Sequence, residues 1–210
     1  MENTKKPFWD DTYKDREALS TFGNGQPSSE IVDIASKLDY GASILDIGCG
    51  DGRNSLFLAQ KGFKVDAFDI SETGIEKIKY LAKKENLKIN AFLCDMNDFE
   101  FENSYNLIIT HGCLHLIHRK DWLRLINLIK ENTNIKGFNI HAVFTDKIAP
   151  SIDMEPFFIG LFLEGEIFNF YKDWKVMLRE SCIFDDKHGH NIRHKHSMNK
   201  IVAQKISKEL

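Results

Sequence analysis

At 210 residues the chain suits a single domain able to bury a sizeable core. A formal net charge of −3 gives no basic face for nucleic acid, and no apolar run approaches the ~18 residues that span a bilayer. Met1–Pro7 is polar rather than signal-like, and Cys49, Cys94, Cys113 and Cys182 follow no Cys-x-x-Cys spacing, so the expectation is a cytoplasmic protein with free, mostly buried thiols.

The opening stretch Phe8–Tyr13 carries aromatic residues ahead of any core element, and the Gly- and Pro-containing Phe22–Ser28 reads as a loop. Two readings of this arm, residues 1–27, stand side by side. Trp9, Tyr13 and Phe22 form a lid over a flat ligand, or they pack the arm onto the domain. Ser28 or Ser29 then caps a helix to about Leu38, with Ile31, Ile34, Ala35 and Leu38 at helical spacing.

Ser43–Ile47 is an apolar strand containing Asp46, and it runs into glycines at alternate positions, Gly48, Gly50 and Gly52. A helix follows over Arg53–Gln60, ended by Gly62. A strand, a glycine loop and a helix make a nucleotide-binding unit, because backbone without a Cβ approaches a ligand closely. Phe63–Phe68 is the second strand, closed by Asp69, 23 residues beyond Asp46. That offset suits a carboxylate accepting from both ribose hydroxyls. Ser71 or Thr73 opens a helix to about Lys84.

Leu87–Leu93 is a third strand, followed by Asp95 and Met96. An acid and an apolar thioether at a strand's carboxyl end suit an adenine, the acid taking the exocyclic amine. The competing use of Asp95 is a turn or cap before Asn97. Tyr105–Thr110, the fourth strand, opens into His111–His115; a helix over Lys120–Glu131 and a fifth strand over Gly137–Phe144 follow. The rhythm then breaks at Pro150 and Pro156 into a Phe-rich region, either a substrate-pocket wall or packing against strand five. Lys175–Asp185 and Ser197–Lys205 read as two strands with a polar hairpin between.

The fold expected is α/β: a doubly wound, seven-stranded, mostly parallel sheet with the ligand along its carboxyl edge, an antiparallel last strand and the arm as N-terminal lid. Residues 28–210 form the main domain. In the hairpin, His188, His190, His194 and His196 allow two His-x-His pairs to chelate zinc or nickel, or to join Arg193 and Lys195 around an oxyanion; solvated side chains are the plain alternative.

Ile44–Ser55, Asp69 and Asp95 together resemble class I S-adenosylmethionine-dependent methyltransferases. Gly52–Ala59, Gly165–Trp174 and Lys200–Lys205 are similar to the tellurite-resistance methyltransferases within that class. The resemblance covers roughly residues 28–205. It implies S-adenosylmethionine as cofactor: Gly48, Cys49 and Gly50 against its methionine part, Asp46 orienting that loop, Asp69 and Ile70 at the ribose, Asp95 and Met96 at the adenine. Thr110 and His111 then face the sulfonium, while the lid reading of the arm puts Trp9 over the bound cofactor. Arg193 matches an Arg implicated in the family's chemistry, whose His partner has only His188 and His190 near its place.

The implied reaction is methyl transfer to a small molecule, a chalcogen oxyanion or a thiol, by a monomer or homodimer without nucleic acid, membrane or metal. His111 or His115 acting as base gives the alternative, an N- or O-methyltransferase of a metabolite. A non-catalytic S-adenosylmethionine- or metal-binding protein is the alternative of another class.

Overall fold

The structure, a computed structural model, describes residues 8–15, 25–152, 154–188 and 192–206. Seven strands form one sheet in the order β3-β2-β1-β4-β5-β7-β6. They are β1 (Ser43–Ile47), β2 (Lys64–Asp69), β3 (Ile89–Leu93), β4 (Tyr105–His111), β5 (Thr133–Phe144), β6 (Lys175–His188) and β7 (Ile192–Gln204). β1 to β5 are mutually parallel; β7 inserts antiparallel between β5 and β6. The expected doubly wound sheet with an antiparallel last strand is the observed one.

Among the described residues, five α-helices pack with the sheet: α1 (Phe8–Thr12), α2 (Ser29–Ala35), α3 (Arg53–Gln60), α4 (Glu72–Lys84) and α5 (Arg119–Glu131). Alternation along the central strands sends successive residues to opposite layers. Leu45, Ile47 and Ile108 pack with Trp122, Leu125 and Ile126 of α5. Ile44, Leu107 and Ile109 pack with Ile31 and Ile34 of α2 and Leu58 of α3. Ser71 caps α4, its side chain accepting from Gly74 N.

Several elements differ from expectation, β5 beginning at Thr133 rather than Gly137 and β3 at Ile89 rather than Leu87. α2 stops at Ala35, three residues short of Leu38. Phe162 and Phe168 join the core under α5, whereas Phe157 and Phe158 face a cavity, so the Phe-rich region is both packing and wall. The polar segment read as a hairpin loop is strand: pairing continues from Ser197 opposite Ile183 to Ile192 opposite His188. β5 meets β7 only from Met198 onward, so the tip of the β6–β7 ribbon extends beyond the sheet. Among the described residues, no helix is long and apolar enough to cross a membrane.

Candidate functional site

A cavity of about 1190 Å³ runs along the carboxyl ends of the strands. Trp9, Asp46, Gly48, Cys49, Gly50, Asp69, Ile70, Asp95, Met96, His111 and His115 all line it. Thr110 does not. It is fully buried, and because successive strand residues face opposite ways, His111 takes the cavity side. The Thr110 hydroxyl donates instead to His141 Nδ1 at 2.6 Å; His141 Nε2 bonds Tyr171 at 2.5 Å, and Tyr171 donates to Asn139 Oδ1 at 3.0 Å. Burial holds His141 at about 3, neutral within this chain of bonds.

At one end, the glycine loop is tied from both sides. Asp46 accepts from Ser55 Oγ at 2.5 Å, joining the end of β1 to the first turn of α3. Burial pushes Asp46 up to about 7 against that bond. Asp69 accepts from Gly50 N and from Ser71 N, both at 2.8 Å, one bond per carboxylate oxygen. Each oxygen keeps a lone pair for a further donor. Below the loop, fully buried Lys77 meets Asp51 at 3.0 Å. Above it lies α1, with Ser71 Oγ donating to Asp10 and Tyr13 buried against Gly50. A Cβ on Gly50 would stand 2.7 Å from the Tyr13 hydroxyl, so glycine is required where the arm crosses the loop.

Beyond Asp69 the wall is apolar. Ile70 is 61% exposed and Met96 half-buried, an uncovered pair that a flat base would cover. Half-buried Asp95 stands beside them, while its Oδ1 accepts from Asn97 N at 2.8 Å; the turn and the position facing the cavity coexist.

At the middle of the cavity, His111 Nε2 lies 3.1 Å from Glu30 Oε1 and 2.9 Å from Ser28 Oγ, and its Nδ1 lies 3.3 Å from Arg53. Burial, with Arg53 alongside, holds His111 below the usual imidazole range although Glu30 pulls the other way. The neutral tautomer that fits donates from Nε2–H and accepts at Nδ1 from the guanidinium. Burial alone would raise Glu30, but the bond from His111, with Lys200 at 3.7 Å, holds it at about 2.

At the far end, Phe144, Phe158 and Phe184 surround His115 and His196. Ring centroids lie 4.5 Å apart for His115–Phe144, 4.7 Å for His115–Phe158 and 5.3 Å for Phe144–His196. Burial drives His115 down to about 3, with His196 adding to the effect. All four cysteines and Met96, Met154 and Met198 also line the cavity. Burial pushes the Cys49 and Cys113 thiols well up, so both are protonated.

The side chains of His188, Arg193 and His194, and the whole of His190, lie outside the described residues, as does Phe22. His196, expected on a polar hairpin, is instead buried among rings. Among the described residues, no group of three or more His, Cys, Asp or Glu is placed to hold a metal ion. Sequence reasoning missed Glu30, Arg53 and Lys200, and of the ring cluster it offered only Phe158 as wall, because the fold alone brings these residues together.

A glycine loop after β1, an acid closing β2 and an acid beside an apolar thioether after β3, on this strand order, are the arrangement of the class I S-adenosylmethionine-dependent methyltransferase fold. The family model of the tellurite resistance protein TehB matches residues 10–201, so most of α1 falls within it, and the chain belongs to that family. A relative named probable S-adenosyl-L-methionine-dependent methyltransferase TehB, from Haemophilus influenzae, is 33% identical over 150 residues, 70% of this chain and 51% of the relative. The chain thus spans about half the length of that curated relative. The crystal structure of TehB from Haemophilus influenzae superposes with a TM-score of 0.76 at 27% identity, covering 85% of this chain and 62% of that one. Coclaurine N-methyltransferase, solved with N-methylheliamine and SAH, shares the fold at a TM-score of 0.64 and 15% identity, over 90% of this chain and 76% of that one.

Proposed function

We propose that this protein transfers the methyl group of S-adenosylmethionine to a soft nucleophile, sulfur or a heavier chalcogen, on a small molecule. The cofactor supplies a methyl group already activated on a sulfonium, so the residues need mainly to align an acceptor and exclude water. Asp69 accepts the ribose hydroxyls, Ile70 and Met96 cover the adenine, and Asp95 takes its amine. The backbone of Gly48–Gly50 meets the methionine part, and Arg53, directly after the loop, supplies the nearest cation for its carboxylate. Trp9 and Tyr13 close the arm over this half of the site.

The weakness of the bases carries the reading of the acceptor. His111 has both ring nitrogens committed, to Glu30 and Arg53. His115 is held at about 3. A general base works best with a pKa near the working pH, so neither deprotonates an amine or alcohol efficiently. A thiol, thione or chalcogen oxyanion needs no such help. Tellurite, named in the family's description, is the first oxyanion to test. The sulfur and aromatic wall suits a polarisable partner.

The test is production of S-adenosylhomocysteine at neutral pH with tellurite, selenite, small thiols, amines and phenols. Turnover confined to the chalcogen acceptors supports the proposal. Turnover with amines or phenols alone replaces it with N- or O-methylation, and binding of S-adenosylmethionine without any turnover would make the chain a binder.

A further inference from the structure

The far end of the cavity is lined by aromatic rings, which an inorganic acceptor does not need. The whole cavity, at about 1190 Å³, exceeds the roughly 300–1,000 Å³ typical for one small ligand. Phe144, Phe158 and Phe184 belong to no packed core cluster; each is half-buried and turned to the cavity. Among the described lining residues the Lys and Arg cations are Lys200 and Arg53. The first is held by Glu30 and the second by the Gln26 carbonyl and His111. With Arg53 also assigned above to the cofactor's carboxylate, neither is left over for an acceptor oxyanion.

His115 is the second, independent observation. It is only 5% exposed, and its Nδ1 is buried with no hydrogen-bond partner among the described residues. An unpaired buried polar atom is costly, so a partner is expected from outside the chain. The backbone that carries the ring is also held in place. Gly160 N donates to the His115 carbonyl at 2.9 Å and Trp122 Nε1 donates to the Gly160 carbonyl at 3.0 Å. A Cβ on Gly160 would lie 2.1 Å from the Ile117 carbonyl oxygen, so the backbone contact fixing Phe158 against His115 depends on glycine.

We infer that this end of the cavity takes a flat heteroaromatic thiol or thione, its ring among Phe144, Phe158 and Phe184 and its polar ring edge on the His115 imidazole. The inference rests on the methyl-transfer reading above and names its acceptor class. The acceptor sulfur forms the new bond to the methyl carbon while that carbon's bond to the sulfonium breaks, the electron pair staying on the cofactor's sulfur. The acceptor's S–H or ring N–H proton is lost to water.

The experiment is calorimetric binding to protein saturated with S-adenosylhomocysteine, with 2-mercaptopyridine, thiophenol, cyclohexanethiol and tellurite as probes. Mercaptopyridine should bind about tenfold more tightly than cyclohexanethiol, from ring contacts. His115→Phe, which keeps the aromatic wall, should weaken mercaptopyridine about tenfold, through the lost hydrogen bond, and leave thiophenol unchanged. Phe158→Leu should weaken both aromatic probes, with melting temperatures confirming that each variant folds. Equal binding of cyclohexanethiol, tighter binding of tellurite, or indifference to His115→Phe would overturn the assignment. S-adenosylhomocysteine release separates the two claims. Turnover of tellurite or aliphatic thiols without aromatic binding sinks the heteroaromatic site alone, and aromatic binding without turnover of any soft acceptor sinks the methyl-transfer reading alone.

Discussion

The two ends of the cavity are built by different rules. The glycine-loop end is made of pieces close in sequence around β1, α3 and β2: Asp69 accepts from Gly50 N and Ser71 N at 2.8 Å, and Asp46 accepts from Ser55 Oγ at 2.5 Å. The ring-lined end is assembled from β5, β6, β7 and two loops, and its contacts are ring on ring. Fixed dipoles suit a ligand that never changes, whereas ring contacts, being less directional, adapt to different shapes at lower cost. The glycine-loop end should therefore be intolerant of substitution and the ring-lined end forgiving.

The largest effect that sharpens this contrast is expected at Lys77. Lys77→Met leaves the Asp51 carboxylate buried beneath the glycine loop without its cation, and breaking such a pair typically costs about 3–5 kcal/mol. Denaturant unfolding should show this loss, with Asp51→Asn added to Lys77→Met recovering part of it. A single variant as stable as wild type would mean that the loop end is not rigidly founded.

A second contrast lies in protonation. Burial pushes both ends toward neutral forms, which raises an acid but lowers a base. Asp46 rises to about 7, so folding takes up a proton between its ordinary range and pH 7, and its contribution falls as pH rises through that window. His115 and His141 sit at about 3. Below the ordinary imidazole value of 6.5 the unfolded chain binds their protons and the folded chain does not. Their contribution is complete above pH 6.5 and is lost as pH falls toward 3, at up to ~1.4 kcal/mol per pH unit for each imidazole. The observable is a difference: His141→Gln should flatten the acid side of the stability profile relative to wild type. An imidazole resonance of His141 titrating near 6.5 by NMR would contradict the buried bond chain with Thr110 and Tyr171.

The same contrast explains what was legible in the sequence. The strand and helix at the loop, Ser43–Ile47 and Arg53–Gln60, fall on their expected bounds because apolar alternation, glycine spacing and the Gly62 stop are all local signals. That Asp69 and Asp95 stand at strand ends, where both line the cavity, was readable for the same reason. Thr110 was not, because which of two adjacent residues faces the cavity depends on the pleat phase at the end of β4. Glu30, Arg53 and Lys200 meet around His111 only because α2, α3 and β7 converge there, and no spacing encodes that. His196 looked polar among its neighbours. Its strand extends past the sheet, and the face it presents is the ring cluster rather than solvent.

Removing the carboxylate at the end of β2 tests the cofactor end directly. Asp69→Ala should weaken S-adenosylmethionine binding by ~1–3 kcal/mol through lost hydrogen bonds to a charged group. Because Asp69 also holds Gly50 N and Ser71 N, melting temperature should fall in parallel. Asp69→Asn, which retains one carbonyl oxygen, should fall between. Unchanged affinity by calorimetry with the fold intact would place the ribose elsewhere in the cavity.

The smallest effect is expected where the two ends meet. Trp9 on α1 stands edge-on to Phe157 with centroids 5.5 Å apart, so the arm lying over the glycine loop touches the loop that carries Phe158. An aromatic pair of this kind contributes ~0.5–1.5 kcal/mol beyond the area it buries. Trp9→Leu keeps apolar bulk and removes the ring contact, so stability should fall by no more than that amount. If the arm is a lid, that energy is released when it opens, and S-adenosylhomocysteine should dissociate several-fold faster by stopped-flow, with a smaller change in its association. If the arm is only packed onto the domain, dissociation stays at the wild-type rate. Phe157→Leu must then reproduce whichever result Trp9→Leu gives, because a latch made of two rings is lost by removing either.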